Sequence, residues 1–134
     1  MGYYMCKKCG AIYETEAKKI CSDILCNGIC FELDENMIIP ITILIEKGYK
    51  TLYCCSGHIN RDSCGGYIAF TLGSEPKTIP KGWTMDDDNR CIRYLFPREG
   101  ITHPKEKYKI ILQKMQSLNK WCMDLPYREE KNEQ

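Results

Sequence analysis

The sequence predicts an α+β protein in which a cysteine-rich N-terminal segment precedes a small three-stranded sheet with two helices. Three observations carry this. Five of the ten cysteines fall within the first thirty residues, where apolar periodicity is weak. Two segments, around residue 40 and beyond residue 104, place apolar residues at helical spacing. Between them lie three short runs of aromatic and β-branched residues, separated by connections that carry Gly, Pro, Asn and Asp.

Length and composition bound the reading. The chain has 134 residues, 43% hydrophobic and 28% charged, which suits one folded domain with a small appendage. The net charge is +1, from 19 basic against 18 acidic residues, which excludes a binder working by bulk positive charge but not one with a local basic patch. The longest apolar run, residues 37–45, contains Pro40 and is too short to span a bilayer. Residues 1–6 lack the charged start and apolar core of a signal peptide. Gly2 is followed at position 6 by Cys, where a myristoylation motif takes Ser or Thr. A cytoplasmic protein without membrane attachment is expected. Ten cysteines in a reducing compartment point to metal binding or catalysis rather than disulfides.

The elements follow in order. Residues 1–33 read as a module unable to fold by core burial alone. Residues 34–126 read as the α+β domain, and residues 127–134 as a frayed tail. Asp34, Glu35 and Asn36 offer N-caps for a helix over residues 37–48. Met37, Ile41, Leu44 and Ile45 share one face, Pro40 must sit in the first turn, and Gly48 supplies the stop. Strands are expected over residues 49–55, 67–72 and 91–96, the last ended by Pro97. Thr102 is placed to cap a long helix from about Pro104 to Met123. Its apolar stripe is Tyr108, Ile111, Leu112, Met115, Leu118 and Cys122, opposite Lys105, Lys109, Gln113, Gln116 and Lys120.

The first constellation is Cys6-x2-Cys9-x11-Cys21-x4-Cys26. Two short turns, each delivering two thiolates, supply the tetrahedron of soft ligands that Zn²⁺ takes, so Cys6, Cys9, Cys21 and Cys26 are the expected ligands of a structural zinc knuckle. Glycine follows each pair closely, as Cys9-Gly10 and Cys26-Asn27-Gly28, so Gly10 and Gly28 are expected to take the positive φ of a tight turn. Cys30 is the alternative to Cys21. It is read instead as the start of a strand leaving the second turn. A closed four-thiolate site leaves no open position for chemistry, so the ion staples a module too small for its own core.

The second constellation runs from Tyr53 through Cys54, Cys55, Ser56, Gly57 and His58 to Arg61 and Cys64. A strand emptying into a glycine-bearing loop exposes backbone amides that can cradle an anion. Ser56, Gly57, His58 and Arg61 are the expected ligand-binding residues, toward a nucleotide or nucleic acid. Two other readings stand beside it. Cys55, His58 and Cys64 can hold a second Zn²⁺, with Cys91 as a fourth ligand. Cys55 and His58 can act as nucleophile and base, with Asp62 the nearest orienting carboxylate. Because strand residues alternate in direction, only one of Cys54 and Cys55 can face the loop, and the other packs.

Around this motif the sequence resembles a group of small bacterial and phage proteins. They pair an N-terminal cysteine cluster with a Gly-Tyr-x-Thr and Cys-Cys-x-Gly-His segment, here Gly48, Tyr49, Thr51, Cys54, Cys55, Gly57 and His58. The likeness covers residues 1–72 and implies a phage or mobile-element setting. A shorter stretch, Cys55-Ser56-Gly57, is similar to the Ser-Cys-Ser-Gly-Arg signature of the wybutosine-synthesis methyltransferase family, with Cys54 and His58 in place of its first Ser and its Arg. That likeness implies activity on modified tRNA with S-adenosylmethionine.

The remaining features are read as structural. Lys105, Lys107, Lys109, Lys114 and Lys120, with Arg93, Arg98 and Tyr94, can touch phosphates but describe equally a solvated helix face. The run from Asp86 to Asp88 is read as solvated acid, with Asn89 completing a turn. Trp83 and Trp121 are read as anchors, and His103 is given no role. The expectation is a zinc-stabilised, non-enzymatic protein that binds an anionic ligand, nucleotide or nucleic acid. The alternatives are a nucleotide- or RNA-modifying enzyme using Cys55 and His58, and a protein–protein adaptor with a purely structural zinc.

Overall fold

A computed structural model describes residues 2–59, 64–86, 90–97 and 103–128. It is an α+β fold of two antiparallel sheets and two α-helices. The N-terminal segment builds a sheet of its own from β1 (Gly2–Cys6), β2 (Ile12–Thr15) and β3 (Cys30–Leu33), in the order β2-β1-β3. Alternation gives this sheet two different faces. Tyr3 and Met5 of β1, with Phe31 and Leu33 of β3, join the main core. Tyr4 and Cys6, with Cys30, face the cysteine cluster. The small sheet is therefore a wall between the cysteines and the core. Weak apolar periodicity concealed it, because each four- or five-residue strand divides its side chains between two environments.

A 3-10 turn (Glu35–Met37) leads into α1 (Ile38–Glu46), which puts Pro40 in the first turn, where its missing N–H costs nothing. Gly48 ends the helix with φ +93°. Asp34 occupies the capping position, but its side chain makes no capping bond and reaches across to Ser56 instead.

The second sheet contains β4 (Thr51–Cys55), β5 (Gly65–Phe70), β6 (Thr84–Met85) and β7 (Cys91–Leu95), in the order β4-β5-β7-β6. It holds four strands where three were expected. The added β6 is only two residues long, too short to carry an alternating pattern. A bulge between Thr51 and Tyr53 turns Thr51 inward and Tyr53 outward. Downstream, Cys54 packs on the core and Cys55 faces the loop, which settles their division of labour.

The long helix α2 (Pro104–Asp124) buries Lys107, Ile111, Met115, Leu118 and Cys122 against α1 and the inner face of the second sheet. The expected stripe is displaced. Tyr108 and Leu112 are about half exposed, while Lys107 lies in their place with its ammonium 5.3 Å from the centre of the Phe96 ring. A row at i, i+4, i+8 is narrower than the apolar residues available to fill it, and the long lysine stem covers apolar surface as well as a leucine does. Thr102 lies outside the described residues. His103 is the N-cap, its Nδ1 accepting from the Lys105 amide at 3.1 Å. At the other end, the last turn of α2 carries no basic residue. The buried Lys47, just past α1, donates its ammonium to the carbonyls of Cys122, Met123 and Leu125 at 3.0, 2.6 and 2.6 Å. Trp83 and Trp121 are anchors. The Trp83 indole donates to the Lys114 carbonyl and meets Tyr94 edge-on, and Trp121 donates to Thr78. No described helix is long and apolar enough to cross a membrane.

Candidate functional site

The four cysteines read as a knuckle come together. The ligand atoms of Cys6, Cys9, Cys21 and Cys26 all lie within 4.8 Å of one another. Cys6 Sγ is 3.6 Å from Cys26 Sγ, and Cys9 Sγ is 3.7 Å from Cys21 Sγ. A tetrahedron with metal–sulfur bonds of about 2.3 Å has its sulfurs about 3.8 Å apart, so the spacing suits a metal ion. All ten cysteines are free thiols. Cys30 lies beside the cluster, opposite Cys6 in the β1–β3 register, and is outside the group of four.

Each sulfur is served by the amide two residues on. Lys8 N–H donates to Cys6, Ala11 to Cys9, Asp23 to Cys21 and Gly28 to Cys26, and Cys9 N–H also donates to Cys6. Amides aimed at sulfur stabilise thiolates. Burial opposes ionisation of Cys6, but the Cys9 and Lys8 amides outweigh it and bring the thiol down to about 7. At Cys9 the Ala11 amide is overridden by burial beside Cys21, Cys6 and Cys26, and the thiol is pushed up to about 12. Four thiolates this close repel one another unless a cation lies between them. The second turn uses its residues differently from expectation. Asn27, not Gly28, takes the positive φ of +50°. Gly28 is needed for close approach, because a Cβ there would lie 2.5 Å from Cys6 Sγ.

The second constellation is built by tertiary contact. Cys55 Sγ lies 3.3 Å from His58 Nε2. Asp34, more than twenty positions earlier, joins them to form a second group with ligand atoms within 4.8 Å. Asp34 Oδ2 accepts from the Ser56 amide at 2.7 Å and from the Ser56 hydroxyl at 3.0 Å. Gly57 N–H points at Cys55 Sγ at 3.4 Å. The amides expected to cradle an anion are thus turned to Asp34 and Cys55, and Ser56 is buried. Gly57, at φ +98°, leaves room for the Tyr94 hydroxyl, which donates to the Ser56 carbonyl at 2.5 Å. Burial raises the Cys55 thiol, the reverse of what a thiolate nucleophile needs. Cys64 lines a concavity together with Cys55 and His58. Cys91 sits elsewhere, with Arg93 donating to its sulfur. Arg61 and Asp62 lie outside the described residues, as do residues 87–89 and Arg98.

A surface the motifs did not announce lies beside this loop. The inner face of the second sheet packs on the helices, and among the described residues no helix packs on its outer face. The register sets Cys55, Tyr67, Arg93 and Thr84 in one row, and Tyr53, Ala69 and Cys91 in the next. Tyr53 is 56% exposed and meets Tyr67 edge-on, with ring centres 5.8 Å apart. Arg93 is held on the face by Asp86 at 2.5 Å, and its Nε has no partner among the described residues. Where β4 begins, Lys7, Lys8 and Lys50 line a groove of about 350 Å³ with Phe31, Tyr49 and Thr51, and no carboxylate is among its lining residues. Lys107 and Lys114 of the long helix are engaged by Phe96 and by the Gly82 carbonyl, and Lys7 and Lys8 are engaged likewise, by the Phe31 ring at 5.6 Å and by the Cys26 carbonyl at 3.3 Å. The alternation of Tyr53 and Cys55, and of Tyr67 and Ala69, was the only sequence signal for the open face. It could not say which side the helices would cover. Set against known proteins, the chain matches no family model, no curated protein and no solved structure.

Proposed function

We propose that this protein binds single-stranded nucleic acid, with bases on the outer face of the second sheet and phosphates along the lysine groove. The observation that carries the reading is the Tyr53–Tyr67 pair on the outer face of the four-stranded sheet, where no described helix packs. Aromatic side chains on such a face accept stacked bases whatever their sequence, and the Arg93 guanidinium adds a third planar surface. Consecutive residues of β4, Thr51 and Leu52, line the lysine groove and the tyrosine face respectively, so one strand can run from one to the other. His58, one of the residues read from the sequence as the anion site, borders this face beside Tyr67 and Arg93. Zn²⁺ is the ion that a closed all-thiolate tetrahedron takes, and here it would set Lys7 and Lys8, which lie between two ligands, at the groove.

The test is fluorescence anisotropy with labelled 12-nucleotide RNA and DNA, using a mononucleotide as competitor. Tyr53→Ala and Tyr67→Ala should each weaken binding about tenfold, equivalent to about 1.4 kcal/mol for one stacked base. Lys50→Ala should weaken all sequences alike and lower the salt dependence by about one phosphate contact. Binding that is unchanged in the Tyr53→Ala, Tyr67→Ala double variant would overturn the proposal.

A further inference from the structure

The geometry points to a second metal site, formed by Asp34, Cys55 and His58, that holds a divalent ion of the zinc type with one coordination position left open. The three donors are a carboxylate oxygen, a sulfur and an imidazole nitrogen, the mixed set that such ions accept. In a tetrahedral site the sulfur and nitrogen lie about 3.6 Å apart, and Cys55 Sγ and His58 Nε2 are 3.3 Å apart before any ion draws them into place.

The surroundings orient the donors. Asp34 Oδ2 is fixed by both the amide and the hydroxyl of Ser56, so the carboxylate is held in one orientation by groups that are not themselves ligands. Gly57 N–H, aimed at Cys55 Sγ, stabilises the thiolate that a metal requires. On binding, the Cys55 thiol gives its proton to solvent, and neutral His58 offers the Nε2 lone pair. The open position faces a concavity of about 400 Å³ shared with Glu32, Glu35 and Tyr67, where water or a donor from a bound ligand can complete the shell. The site needs neither the four-cysteine cluster nor a nucleic acid.

Native mass spectrometry of the intact chain, equilibrated with Zn²⁺ alone, tests this. Wild type should carry two ions. His58→Ala should carry one and keep its fold, because His58 is exposed. Asp34→Asn should also carry one, whereas Cys64→Ser should keep both. Replacing zinc by Co²⁺ gives a second readout: the band from the single-thiolate site should vanish in His58→Ala and leave the all-thiolate spectrum intact. A wild-type protein holding one ion at saturating zinc would overturn the site. So would a His58→Ala protein that retains two, and loss of the second ion in Cys64→Ser but not in Asp34→Asn would remove Asp34 from it.

Discussion

The two cysteine-bearing clusters are assembled in opposite ways. The N-terminal one is built by short-range geometry. Each of its turns carries two sulfurs, every sulfur receives the amide two residues on, and Gly28 lets the second turn press against Cys6. The other joins Cys55 and His58, three residues apart, to an aspartate from before α1 whose hold on Ser56 brings that loop against the N-terminal sheet. A locally built cluster that holds an ion is expected to depend on it for its fold, whereas a cluster built by tertiary contact inherits its fold from the core.

The largest effect that can break this contrast is loss of the N-terminal ligands. Cys9→Ser, or removal of metal by a chelator, should dissolve the sheet β2-β1-β3. It should also expose Met5 and Leu33, which that sheet contributes to the main core. Thermal melts followed by circular dichroism should drop by more than about 10 °C. An unchanged melt would mean that the strands hold themselves.

Asp34→Ala comes next. It leaves the Ser56 amide and hydroxyl without their acceptor in a buried position, so urea unfolding should show a loss of about 2–4 kcal/mol. A loss below about 0.5 kcal/mol would reduce Asp34 to a metal ligand alone.

A core thiol supplies the reference for both clusters. Burial pushes Cys122 from its ordinary 9.0 up to about 12. Between those values the unfolded chain sheds a proton that the folded chain keeps. The contribution is therefore whole below pH 9 and is lost as pH rises toward 12, at up to about 1.4 kcal/mol per pH unit. Cys122→Ala should flatten that part of the curve in urea titrations at pH 9 to 11. The smallest effect is expected at His58. Its replacement by Ala should leave stability within about 0.5 kcal/mol, and a larger loss would show that the second cluster also carries structure.

How much of this was legible follows from the range of the contacts involved. The four-cysteine cluster could be read because its ligands sit in turns whose spacing is fixed within five residues. Gly48 as the stop of α1, Pro40 in the first turn and the start of β3 at Cys30 were legible for the same reason. Asp34 was legible only as a helix cap, since nothing near it in the sequence says that a serine twenty-two positions away will take its carboxylate. The buried Lys107 hid among lysines destined for solvent. The open face of the second sheet depended on which side the helices cover, and that is settled by packing, not by alternation.

Lys47 sets a condition on the order in which the molecule can be completed. Its ammonium is satisfied only by carbonyls seventy-five or more positions further along the chain. While the protein is being synthesised, the end of α1 therefore holds a charge that cannot be buried until Leu125 has left the ribosome. Closure of the core is consequently a late event, with its threshold in one short stretch: chains truncated after residue 121 strand the ammonium, and chains truncated after residue 128 do not.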